Sequence, residues 1–173
     1  SQSAVWDGID FFAQVSIDSR TLRQGDFFIP LKGPAFDAHD FIAASLEQGA
    51  CGTLVAESHW PVVSTFPLSL REKKLFIIVA DTLEAFVDLA KARRASLVCP
   101  VVGITGSVGK TTTKEMLRSI AERAGVRVYA SIKSYNNLYG ICYSLLCAPE
   151  DVELVIQEVG VVVVLVKLAI QMV

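Results

Sequence analysis

The stretch Gly103-Ile104-Thr105-Gly106-Ser107-Val108-Gly109-Lys110-Thr111-Thr112 sets small residues, a lysine and hydroxyls in the order that phosphate binding asks for. Glycines at 106 and 109 let backbone N–H groups turn toward phosphate oxygens, and the start of a following helix adds partial positive charge. Lys110 can reach terminal phosphates and Thr111 can ligate Mg²⁺. The strict G-x-x-x-x-G-K-[ST] pattern fails by one position, because Ile104 stands five residues before Gly109, so this is a variant loop. The bland alternative is a glycine turn entering an ordinary helix with Lys110 solvated. The apolar strand before the loop and the three consecutive threonines after the lysine favour nucleotide phosphate. A second chemical candidate is Glu158, which follows the apolar run Leu154-Val155-Ile156. A carboxylate at the C-terminal end of a parallel strand points into the crevice where open α/β sheets bind ligands. There it can complete a Mg²⁺ shell with Thr111, the alternative being a solvent-facing strand terminus.

These groups need a framework, and the pattern supplies an α/β fold. Val15–Asp18, Asp26–Leu31, Gly52–Ala56 and Leu75–Ala80 read as strands, and Asp40–Gln48 as a helix closed by Gly49. Glu57–Lys74, with Pro61 and Pro67, reads as a loop or irregular edge. Asp81 or Thr82 caps a helix to about Ala95, with Leu83, Phe86, Val87, Ala90 and Arg94 on one face. A domain boundary is expected near Ser96, giving a small mixed α/β domain over 1–95 and a second over 96–173. The second alternates: strand Val101–Thr105, the glycine loop, helix Lys110–Ala124, strand Arg127–Ser131, helix Asn137–Leu146 and strand Val152–Glu158. Such alternation implies a parallel sheet. In the first of these helices Thr113, Met116, Leu117, Ile120 and Ala124 are expected to face inward, and Lys114, Glu115, Arg118 and Glu122 to be solvated.

Composition narrows the function classes. Across 173 residues, 16 Lys+Arg against 18 Asp+Glu leave a net charge of −2, which offers no broad attraction for nucleic acid and makes any anion site local. The 52% hydrophobic content suits a sizeable core rather than a disordered chain. The apolar run from Val159 to Val166 is about half of the ~20 residues a membrane helix needs, so no membrane insertion is expected. The chain opens on Ser1 without a basic and apolar leader, which reads as a processed or cut chain rather than a secreted one. Cys51, Cys99, Cys142 and Cys147 contain no C-x-x-C pair, and His39 and His59 stand in different contexts, so no zinc spacing is present. His39 reads as structural, packed beside Phe36 and Phe41. A cytoplasmic location fits this cysteine usage.

The residues also resemble a known family. Thr105 to Leu117, followed by Asn136-Asn137-x-x-Gly140 and Ser144-Leu145-Leu146, looks like the ATP-binding central domain of the Mur ligases. Upstream, Ser16-Ile17-Asp18-Ser19-Arg20, Gly25-Asp26-Phe27-Phe28, Leu31-Lys32-Gly33, Asp37-x-His39-Asp40-Phe41 and Gly49-Ala50 resemble the family's N-terminal domain, which holds the UDP-sugar end of the substrate. The paired asparagines and Ser107 favour the branch that adds D-alanyl-D-alanine over the branch that adds the third peptide residue. The resemblance implies a P-loop ATPase domain begun at residue 96 and ATP-dependent amide formation through an acyl phosphate. It implies ATP and Mg²⁺ as cofactors and UDP-N-acetylmuramoyl-tripeptide and D-alanyl-D-alanine as partners of a monomer. Residue by residue, it makes Gly106, Ser107, Val108, Gly109, Lys110, Thr111 and Thr112 the ATP-phosphate wrap, with Lys110 catalytic. Thr111 and Glu158 become the metal ligands, the family's Glu-x-Gly matching Glu158-Val159-Gly160. Ser19, Arg20, Lys32, Asn136 and Asn137 become substrate contacts. Without the family, Asn137 reads as a helix cap and Asp18 or Ser19 as a turn cap. After Gly160 the family's polar loop, metal-site histidine and third domain have no counterpart, so the chain is expected to be inactive by itself. A nucleotide-dependent switch is the rival class, and it is disfavoured by the lack of an N-K-x-D base-reading motif.

Overall fold

A computed structural model describes residues 14–33, 35–132 and 136–160. The chain divides between Phe86 and Val87 into two compact units. Residues 161–166 of the apolar run that begins at Val159 lie outside the described residues.

The first unit contains β1 (Val15–Ser16), β2 (Phe27–Phe28), a 3-10 turn (Ala38–Phe41) leading into α1 (Ile42–Glu47), and β3 (Gly52–Ala56). A second 3-10 turn (Glu57–His59), α2 (Trp60–Val63), α3 (Leu68–Arg71) and β4 (Leu75–Val79) follow. The strands form a parallel sheet in the order β1-β2-β3-β4. β1 is shorter than its apolar run because Asp18 folds the chain: its carbonyl accepts from Thr21 N and its carboxylate from Arg20 N. Gly49 closes α1 as expected, Gly49 N–H donating to Leu46 O and Ala50 N–H to Ser45 O. The expectation of a loop over 57–74 is corrected. Pro61 occupies the first turn of α2 and Pro67 immediately precedes α3, positions where proline opens a helix rather than breaking one. These short helices place Trp60, Val63, Phe66 and Leu70 against a core of Phe28, Ile42, Leu46 and Val55. Each such side chain, when fully buried, contributes about 1.5–3 kcal/mol.

The two histidines are not in separate contexts. Their rings stack at 4.0 Å with planes 13° apart, because the turn after β3 folds His59 back onto buried His39. Phe36 and Phe41, the expected neighbours of His39, are largely exposed. Ala56 N–H donates to His39 Nε2, which leaves the ring proton on Nδ1, 2.6 Å from Asp37 Oδ1. His59 Nε2 lies 3.6 Å from the other carboxylate oxygen. Near-parallel imidazoles do not aim their in-plane lone pairs at one ion, and both His39 nitrogens are engaged. The trio is therefore a clasp joining the Asp37 loop to β3.

Helix α4 (Thr82–Ser96) contains the division between the units, and Asp81 caps it by accepting from Leu83 N and Glu84 N. The second unit continues with β5 (Val101–Ile104), α5 (Lys110–Arg123), β6 (Val128–Ala130), α6 (Leu138–Cys147) and β7 (Leu154–Glu158). Its parallel sheet has the order β5-β7-β6, so the chain leaves β5, skips one position, and returns to fill it with β7. α5 corrects the expected facing. Met116 and Ile120 are 61% and 63% exposed, whereas Lys114 is 1% exposed and Ala121 is buried. The stripe Lys114–Ala121 faces the sheet because the lysine's apolar stem packs and its ammonium finds a carbonyl. No helix among the described residues is long and apolar enough to cross a membrane.

Candidate functional site

The strand-to-helix connection after β5 is the glycine loop, and two of its residues have left-handed backbones: Gly106 at φ 142° and Gly109 at φ 82°. A Cβ at Gly109 would meet nothing within 4 Å, so glycine is needed there for its torsion and not for space. Gly109 is also the N-cap of α5 and offers no side chain to the first-turn N–H groups. Those groups, which have no acceptor within a helix, remain available to an anion along with the positive end of the helix dipole. Lys110 Nζ folds back onto Gly106 O at 2.6 Å, which keeps its ammonium over the loop. Ser107, Val108 and Thr112 are exposed.

Sheet register brings the second half of the site to this loop. Glu158 pairs with Ile104, the last residue of β5, and Val159 N–H donates to Ile104 O at 2.8 Å. The carboxylate of Glu158, 2% exposed, accepts from Thr111 Oγ1 at 2.9 Å and from Asn136 Nδ2 at 3.1 Å. Its backbone N–H donates to Ser131 Oγ at 3.1 Å. Gly160 N–H donates to Asn136 O at 2.7 Å, and a Cβ on Gly160 would stand 2.9 Å from that carbonyl. The Glu-x-Gly spacing thus has a local cause: the glycine lets the Asn136 backbone close on the strand end, so that its side chain reaches Glu158. A hydroxyl and a carboxylate oxygen in direct contact at a phosphate loop form a hard, all-oxygen donor pair, the set that suits Mg²⁺.

The other candidates are placed as follows. Asn137 is the N-cap of α6, its Oδ1 accepting from Gly140 N at 2.9 Å. In the first unit, half-buried Ser19 and exposed Arg20 lie on the turn after β1, and Lys32 lies on the segment after β2. All three follow C-terminal ends of neighbouring parallel strands, the ligand-binding side of such sheets. Arg20 makes a two-point contact with Asp18, Nε to Oδ1 at 2.9 Å and Nη2 to Oδ2 at 2.7 Å. The guanidinium hydrogen bond holds the Asp18 carboxyl below its usual range, and Asp18 raises Arg20 in return. Lys32 Nζ lies 3.8 Å from Asp37 Oδ2. Ser131 and Lys114 were not legible as site residues. Ser131 stands at the end of β6 beside Glu158, and Lys114 one turn beyond Lys110 on α5, the i, i+4 spacing that puts the two lysines on one helix face.

A parallel sheet whose glycine loop enters a helix, with a buried carboxylate on the adjoining strand, has the arrangement of the phosphate-loop α/β proteins. The description "Mur ligase middle domain" matches residues 104–165, and "Mur ligase family, catalytic domain" matches residues 12–94. The chain belongs to the Mur ligase family. It is 38% identical over 146 residues to the UDP-N-acetylmuramoyl-tripeptide–D-alanyl-D-alanine ligase of Bacillus subtilis, covering 84% of this chain and 30% of that protein. Among solved structures, MurF from Acinetobacter baumannii superposes with a TM-score of 0.70 at 33% identity, covering 86% of this chain and 30% of that one. MurF ligase from Thermotoga maritima in complex with ADP gives 0.66 at 27% identity, covering 87% of this chain and 32% of the other. The chain spans about 30% of the length of the curated relative it matches.

Proposed function

We propose that this chain carries the UDP-sugar-binding and ATP-phosphate-binding parts of a cytoplasmic ligase of peptidoglycan precursor synthesis, one that joins D-alanyl-D-alanine to UDP-N-acetylmuramoyl-tripeptide. In this reading residues 1–95 hold the UDP-sugar through Ser19, Arg20 and Lys32, and residues 96–173 begin the ATP-binding domain. The γ-phosphoryl group of ATP passes to the terminal carboxylate of the tripeptide, ADP leaves, the amine of D-alanyl-D-alanine attacks the acyl phosphate, and phosphate departs as the amide forms. Lys110 and the amides of Gly106–Thr112 neutralise charge on the phosphates. Thr111 and Glu158 would hold Mg²⁺, which supplies further neutralisation of the transferring group. Asn136 orients Glu158 and stands with Asn137 near the peptide end of the substrate. The observation that carries this reading is the contact of Thr111 Oγ1 with the buried Glu158 carboxylate at 2.9 Å, at the end of the glycine loop.

The test is substrate choice. On the native full-length protein, ADP release should require UDP-N-acetylmuramoyl-tripeptide and D-alanyl-D-alanine together. ADP release driven instead by a diamino acid with the dipeptide precursor would move the chain to the branch that adds the third residue.

A further inference from the structure

Lys114 is a cation with no role in that chemistry, yet its burial needs a cause. Its side chain is 2% exposed, and Nζ donates to Ser131 O at 2.8 Å, with Glu115 Oε1 at 3.4 Å. Removing an ammonium from water costs several kcal/mol unless hydrogen bonds compensate, and an apolar side chain would pack a helix on a sheet at lower cost. What the ammonium holds is therefore informative. Ser131, itself 2% exposed, is a junction: its N–H donates to Ile156 O at 2.8 Å, its carbonyl takes Lys114, and its Oγ receives the backbone N–H of Glu158. The Glu158 carboxylate then accepts from Thr111, three residues before Lys114 and so on the same face of α5. The contacts close a ring, from Thr111 to Glu158, through Ser131 to Lys114, and back along the helix.

We propose that Lys114 is a positioning residue which, through Ser131, fixes the distance and angle between Thr111 and Glu158. The proposal rests on the reading that this pair holds Mg²⁺ beside bound ATP. Thr111 ties the first turn of α5 to the end of β7. Lys114 adds a second polar contact one turn further along, to the residue that receives the Glu158 backbone N–H, so that the two oxygens that would hold Mg²⁺ keep one separation. Loss of a side chain that orients metal ligands commonly lowers metal affinity about 10–100-fold.

The experiment titrates ATP against the chain with and without Mg²⁺, for wild type, Lys114→Met, Ser131→Ala, the double variant and Lys110→Ala. The first two variants should each lose about tenfold or more of the affinity gained from Mg²⁺, while metal-free ATP affinity stays within about twofold. The double variant should lose no more than the worse single one, because both act on one ring. Ser131→Ala retains the Ser131 carbonyl that compensates Lys114, so it reports even where Lys114→Met does not fold. An unchanged Mg²⁺ gain in Ser131→Ala, or losses that add in the double variant, overturns the proposal. If Lys110→Ala weakens ATP while Lys114→Met titrates as wild type, the positioning role alone falls. If Lys110→Ala binds as wild type, the phosphate-loop reading falls and takes the proposal with it.

Discussion

Gly160→Ala isolates the geometry that gives the candidate site its shape. The new Cβ would stand 2.9 Å from Asn136 O, and the atom it meets is backbone rather than the free end of a side chain. Ordinary contact at about 3.4 Å requires a shift of about 0.5 Å, and the same carbonyl accepts Gly160 N–H at 2.7 Å. Retreat therefore stretches that bond to the edge of the hydrogen-bond range. Overpacking of this kind costs about 1–3 kcal/mol, and a weakened net hydrogen bond up to about 1 kcal/mol more, so a destabilisation near 2 kcal/mol is expected. Gly125→Ala is the control. Gly125 has φ 81° but nothing within 4 Å of a Cβ, so its cost is torsional, about 1 kcal/mol. Urea denaturation followed by circular dichroism separates the two in stability. ATP titration separates them in function: only Gly160→Ala moves Asn136 off Glu158 and should reduce the affinity gained from Mg²⁺. Gly160→Ala within about 0.5 kcal/mol of wild type with an unaltered Mg²⁺ response would mean that the close approach of Gly160 to the Asn136 carbonyl does not shape the site.

Two further outcomes follow from titrating groups. Burial pushes the Cys142 thiol up to about 12, so at pH 8 its thiolate is scarcer than that of an ordinary cysteine by roughly a thousandfold. Mass spectrometry after brief alkylation should find Cys142 unmodified in the native protein and modified after unfolding. For Asp37, burial opposes ionisation, but the backbone and ring N–H groups of His39 and the nearby imidazoles of His39 and His59 outweigh it and hold the carboxyl below its usual value. A depressed carboxyl contributes stability above its unfolded pKa of about 3.9 and loses it as pH falls through the folded value. The urea midpoint followed by tryptophan fluorescence should therefore drop less between pH 6 and pH 3 in Asp37→Asn than in wild type; an equal drop would dissociate the clasp from acid sensitivity.

What the sequence revealed and what it hid divide along one physical line. The loop from Gly106 to Thr112, the cap at Asp81 and the strand ending at Glu158 are local patterns, written in residues a few positions apart. Helices around Pro61 and Pro67 are not legible in the sequence because proline at a helix start and proline as a breaker look alike without the fold. Hydrophobicity ranks Met116 and Ile120 inward on α5 and a lysine outward. The carbonyl of Ser131, 17 residues away in sequence, accepts from the Lys114 ammonium and helps to make the lysine a core residue. The His39–His59 stack and the Ser131 junction likewise depend on register and turn direction between distant segments, which periodicity does not encode.

The proposed function places Mg²⁺ between Thr111 and Glu158 on an ATP-binding glycine loop. Calorimetric titration of ATP with and without Mg²⁺, on wild type and on Glu158→Gln, tests it most directly. Saturable binding by wild type that Mg²⁺ strengthens is expected, with a fall of about 10–100-fold in that strengthening for Glu158→Gln. The same Mg²⁺ response in both proteins would contradict it.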